Sequence, residues 1–84
     1  MKKIELYHEG KPVAEIELDG FDLKTGGDQP EIAKDWIDLA RKKIGEDPEE
    51  IMDFLPYYVG GYSKACAVGY TPNRSVFERW KSAA

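Results

Sequence analysis

The chain has 84 residues, a mass of 9.5 kDa and a formal charge of −4, with 42% hydrophobic and 33% charged residues. These values suit one small soluble domain covering residues 1–84, with a modest core and little room for an internal ligand cavity. No apolar run approaches the roughly 18 residues of a membrane span, the single cysteine, Cys66, excludes an internal disulfide, and a lone histidine, His8, leaves metal and triad chemistry short of parts.

Met1-Lys2-Lys3 begins like a signal peptide, but Glu5, Glu9 and Glu15 follow, so no export segment is read and the expected compartment is the cytoplasm. Residues 3–8 and 13–18 alternate apolar and polar, which predicts two strands of a hairpin. Ile4 and Leu6 share a face with Ala14 and Ile16 only if paired positions sum to an even number. A two-residue Glu9-Gly10 turn fails that condition. The expectation is therefore a three-residue loop, His8-Glu9-Gly10, with Gly10 at the bulge and Lys3 opposite Glu15. Residues 19–28 hold Gly20, Gly26 and Gly27 without periodicity and read as a surface connector pinned to the core by Phe21 and Leu23.

Asp28, Pro30 and Glu31 mark a helix start, with Asp28 as N-cap. From there Ile32, Ala33, Trp36, Ile37, Leu39, Ala40 and Ile44 fall within an arc of about 160°. Arg41, Lys42 and Lys43 suit its last turn and Gly45 its stop. Asp47-Pro48-Glu49-Glu50 opens a second helix, whose inner face is Ile51, Phe54 and Leu55 and which Pro56 ends or kinks. Tyr57, Tyr58 and Val59 could add a turn before Gly60-Gly61. Residues 62–70 fit either a strand or a short helix opened by Ser63. Strand is favoured, because a third strand would stabilise the hairpin. Thr71-Pro72 caps a last helix with Val76, Phe77 and Trp80 facing inward. The expected fold is α+β in the order β-β-α-α-β-α: an N-terminal hairpin and a third antiparallel strand packed by two or three short helices.

No catalytic constellation emerges, and the chain is expected not to be an enzyme. A Cys66–His8 dyad would need the hairpin tip to fold over the third strand; His8 reads as a solvated turn residue and Cys66 as a small core residue. The 16 acids lie in caps and on strand faces, where nothing shifts a carboxyl toward acid-base work. Asp19, Asp22 and Asp28 lack the spacing of a twelve-residue calcium loop, and the glycine pairs lack a phosphate-loop context. No cofactor or metal is expected.

Charge and aromatic content point to a surface. Residues 1–63 carry 15 acids against 8 bases, a balance of −7, whereas residues 64–84 carry one acid against 4 bases, a balance of +3. The acidic cluster Glu46, Asp47, Glu49, Glu50 and Asp53 is explained by the helix dipole. Joined to Glu5, Glu15, Glu17 and Asp19, it could also mimic phosphates in a basic groove. In the C-terminal half, Tyr57, Tyr58, Tyr62 and Tyr70 interleave with Arg74 and Arg79, the residue types that dominate binding hot spots. The expected function is therefore a small acidic protein-binding module. It would act as an inhibitor of a basic or nucleic-acid-binding partner by surface occlusion, as small acidic proteins of phages and mobile elements do. The alternative is a nucleic-acid-binding accessory protein using Lys64, Arg74, Arg79 and Lys81. A membrane partner is not expected.

Overall fold

The computed structural model describes residues 2–58 and 64–83. Their elements run β1 (Lys2–His8), β2 (Lys11–Asp19), β3 (Asp22–Gly26), α1 (Pro30–Ile44), α2 (Pro48–Phe54), β4 (Lys64–Val68) and α3 (Arg74–Ala83). The four strands form one antiparallel sheet in the order β3-β2-β1-β4. The α+β class holds, with one strand more than the sequence predicts. Val59, Gly60, Gly61, Tyr62 and Ser63 lie outside the described residues.

The first hairpin turns at the two residues that parity had excluded. Glu9 and Gly10 take φ of +53° and +80°, both left-handed, as a type I′ turn requires. Pairing near the tip, His8 with Lys11 and Tyr7 with Pro12, has odd parity; beyond an irregularity between Leu6 and Tyr7 it becomes even, with Leu6 opposite Ala14 and Ile4 opposite Ile16. A bulge at Val13 makes the conversion. Val13 also explains why the bulge is tolerated: its carbonyl accepts a 2.7 Å hydrogen bond from the Gln29 amide. Lys3 consequently faces Glu17, yet its Nζ reaches diagonally to Glu15, 2.9 Å away.

Residues 19–28 are not a connector. Leu23 and Leu18 pair across β2 and β3, as do Glu17 and Lys24. Leu23 packs against the core as expected, but Phe21, at the turn, is 91% exposed. Gly27, with φ +88°, carries the chain from β3 back over β2 toward α1.

Because Gln29 is tied to the bulge, α1 begins one residue later than expected: Gln29 holds the cap position without a side-chain bond, and Asp28 does not cap. Ala33, Trp36, Ile37 and Ala40 are buried, while Ile32 and Ile44 are half-buried against the same core. Gly45 ends the helix at φ +104°, a backbone region that glycine alone enters freely. Asp47 caps α2 as predicted, accepting from the Glu49 amide at 3.0 Å. Regular helix stops at Phe54, before Pro56, and the amides of Tyr57 and Tyr58 close a turn on the Phe54 carbonyl. At α3 the cap is Asn73, whose Oδ1 accepts from the Ser75 amide at 3.0 Å, rather than Thr71-Pro72. Asn73 has the short acceptor side chain the position needs.

The helices cover one face of the sheet. α1 lies over β2 and β3, α2 over β1 and β2, and α3 packs on α2. Ile4, Leu6, Ala14, Ile16, Leu18 and Ala65 meet Trp36, Ile51, Met52, Phe54 and Leu55 there. The opposite face carries Lys3, Glu5, Tyr7, Glu15, Glu17 and Lys24. Cys66 also stands on it, opposite Glu5 and half-buried, rather than in the core. β4 turns its small side chains inward because Ala65 and Ala67 are the residues in register with Leu6 and Ile4.

Candidate functional site

The aromatic residues of α2, of the turn that follows it and of α3 form one cluster. Phe54 is fully buried at its centre; Tyr58 stacks on it at 4.9 Å, and Trp80 meets both edge-on, at 5.5 and 5.6 Å. Phe77 contacts Phe54, Trp80 and Tyr57 at 5.8, 5.6 and 6.2 Å. These separations and tilts are those favoured by aromatic quadrupoles. Phe77 and Trp80, expected in the core, are only half-buried and share the surface with Tyr57 and Tyr58. Three cations lie over the outer rings: Arg74 over Tyr57 at 5.6 Å, Lys81 over Phe77 at 5.6 Å and Lys43 over Trp80 at 5.8 Å.

Of the residues singled out in the sequence, Tyr57, Tyr58 and Arg74 fall in this stripe. Tyr57 donates its hydroxyl to the Pro72 carbonyl at 3.1 Å, and Arg74 also binds Glu78 at 2.9 Å, which holds the Glu78 carboxyl below its usual pKa. Arg79 is turned to Glu50. Tyr70 stands apart from the stripe, donating to the Met52 carbonyl at 2.8 Å beneath Lys2. Tyr62 lies outside the described residues. Lys64 is on β4, opposite Tyr7, away from the other three bases of the nucleic-acid reading.

Each residue of the acidic cluster has a partner within the chain. Glu49 and Asp53 hold Lys2 at 2.6 and 3.8 Å, Glu46 meets Arg41 at 3.4 Å, Glu50 pairs with Arg79, and Asp47 caps α2. The hydrogen bond to Glu49 keeps the Lys2 ammonium protonated to higher pH than usual, against the opposing effect of burial. Among the described residues no group of three or more His, Cys, Asp or Glu side chains could hold a metal ion, and no helix is long and apolar enough to cross a membrane. His8 lies at the end of β1 with Nε2 3.9 Å from Glu9, while Cys66 lines a groove of about 430 Å³ with Tyr7, Glu9, Gly10 and Lys64.

Burial, and after it the charge of Asp53, pushes the Tyr70 phenol above its ordinary pKa of 10.0. The folded protein then keeps the proton that the unfolded chain releases near that value, so stability is unaffected below it and falls as pH rises past it. Lys2, Lys3 and Lys24, also raised by their carboxylate partners, lose their contributions in the same direction. Urea midpoints are expected to drop between pH 9 and pH 11 less steeply for Tyr70→Phe than for the parent. Equal slopes would show that the phenol is not desolvated.

Phe21, expected against the core, stands at the surface instead. Its signal was present in the symmetry of Glu17-Leu18 and Leu23-Lys24 about Gly20-Phe21, which marks a hairpin whose turn residue points to solvent. Comparison of the chain with family models, with curated proteins and with solved structures finds no match.

Proposed function

We propose that this protein is a non-catalytic protein-binding module that inhibits a partner by covering its surface, with the α2–α3 aromatic stripe as the contact. The observation carrying this reading is the continuity of Tyr57, Phe77, Trp80 and Tyr58, each half-buried and three of them overlaid by a cation. Such rings are already fixed by their buried sides, so covering their outer faces costs little conformational entropy. The acidic residues of α2 act in this scheme through the overall charge of −4, which orients approach to a basic partner. Their contact role is small because each is engaged internally. A nucleic-acid interface is less well supported: Arg74 and Arg79 are paired with acids and Lys64 stands elsewhere on the molecule.

The test is affinity capture from the source lysate with the parent and with a Lys43→Glu/Lys81→Glu variant, both exposed positions outside the core. A protein retained stoichiometrically by the parent and lost by the variant is the expected result. Equal retention, or none by either, would refute the stripe as a protein contact. Binding of a single-stranded oligonucleotide that persists in about 150 mM salt and is lost in the variant would favour the nucleic-acid alternative.

A further inference from the structure

The β2–β3 hairpin tip does nothing evident for the fold. Gly20, with φ +65°, and Phe21, with negative φ, have the sign pattern of a type II′ turn, and the ladder behind them is paired from Asp19–Asp22 to Glu15–Gly26. The tip is thus a fixed knob carrying a side chain that is 91% exposed. Beneath it Asp19 and Asp22 face each other directly, an unfavourable like-charge pair. Lys24 binds Asp19 at 2.7 Å and its charge also acts on Asp22, which has no ion-pair partner within 4.0 Å among the described residues. A turn optimised for folding alone would carry a small polar residue at Phe21 and opposite charges at the closing pair.

A complementary socket lies on the other layer of the molecule. Between the end of α1, α2 and α3 runs a groove of about 220 Å³, lined by apolar Ile44, Val76 and Trp80 and by charged Lys43, Arg79 and Glu50. A cavity of about 150 Å³ accommodates benzene, so the groove has room for one phenyl ring. Lys43 has no carboxylate partner among the described residues, and Asp22 would supply one. Acids on both sides of Phe21 also oppose approach to nucleic-acid phosphates or anionic lipid.

We infer that Phe21 of one molecule inserts into the Ile44–Val76–Trp80 groove of a second copy, with Asp22 meeting Lys43. The contact is head-to-tail, so it leaves a free tip and a free groove at the ends and grows by addition. It stands independently of the stripe reading, although an occupied groove covers the Trp80 end of the stripe. A contact this small is weak.

The test uses the whole chain in solution. Sedimentation of the parent is expected to show average mass rising with concentration toward the millimolar range, and Phe21→Ser is expected to weaken association about tenfold or more without lowering the urea midpoint. Lys43→Glu weakens it about threefold and Asp22→Lys in the second copy restores it. Isotope-labelled Phe21→Ser, which keeps the groove, is then titrated with unlabelled parent: the Trp80 indole resonance should move and that of buried Trp36 should not. A parent that stays monomeric throughout overturns the inference and leaves Phe21 to a different protein. Association in which the labelled Phe21→Ser chain shows no Trp80 response overturns it in favour of tip-to-tip contact.

Discussion

Phe54→Ala is expected to cost about 3–5 kcal/mol, a large share of the roughly 4–13 kcal/mol that holds a chain of this length. Phe54 is wholly excluded from solvent, and its ring touches Tyr58, Phe77 and Trp80. Alanine at this position removes the apolar burial, leaves a cavity at the α2–α3 junction and takes away the common neighbour of the three outer rings. By contrast, Phe77→Ala removes a half-buried ring from the same cluster and should cost about 1–2 kcal/mol. Urea denaturation followed by tryptophan fluorescence distinguishes the two. A Phe54→Ala midpoint no lower than that of Phe77→Ala would mean that the stripe is not organised around Phe54. Three of the four surface rings are thus placed by contact with a residue that is itself excluded from solvent.

What the sequence makes legible, and what it does not, follows from the range of the interactions. α1 is readable because fifteen residues repeat one helical face and end in Arg41-Lys42-Lys43 before Gly45. α2 is readable because Asp47 and Pro48 carry a cap whose partner is only two residues away. The faces of β1 and β2 are readable from alternation, but their register is not. The bulge at Val13 depends on the Gln29 amide, and nothing local to the turn announces it. β3 is hidden by Gly20, Gly26 and Gly27 at and beyond its ends, although Glu17–Lys24 and Leu18–Leu23 form a symmetric pattern about the turn. For the aromatic residues, composition shows an excess of rings in the C-terminal half but not their orientation. Tyr57 and Tyr70 find their acceptors at Pro72 and Met52, 15 and 18 residues away, so the part of each ring left for a partner is fixed by tertiary structure.

Gly27→Ala is the other substitution with a large expected effect, and it acts through the backbone. Gly27 has φ +88°, where an L side chain costs about 1–2 kcal/mol. A Cβ there would lie 2.8 Å from the Ala14 Cα and 3.2 Å from the Val13 carbonyl oxygen. Both belong to the backbone of β2, a central strand paired on either side, and cannot swing away as a side chain would. The β3–α1 crossing must therefore lift, and lifting it lengthens the 2.7 Å bond from the Gln29 amide to the Val13 carbonyl. A bulge carbonyl deprived of its donor adds a desolvation penalty of about 1–3 kcal/mol, giving a total of about 2–5 kcal/mol. Gly10 and Gly20 also have positive φ, at +80° and +65°, but a Cβ at either meets open space. Alanine at those turns should cost only the conformational part, about 1–2 kcal/mol each. Urea midpoints in the order Gly27→Ala well below Gly10→Ala and Gly20→Ala are the expected result; equal midpoints would show that the crossing has slack. The same lift loosens the end of β3 opposite its turn, so amide hydrogen exchange in Asp22–Gly26 should quicken in Gly27→Ala. A hairpin frayed at that end presents Phe21 over a wider range of positions, which ties the rigidity of the exposed tip to one close backbone approach on the far side of the strand.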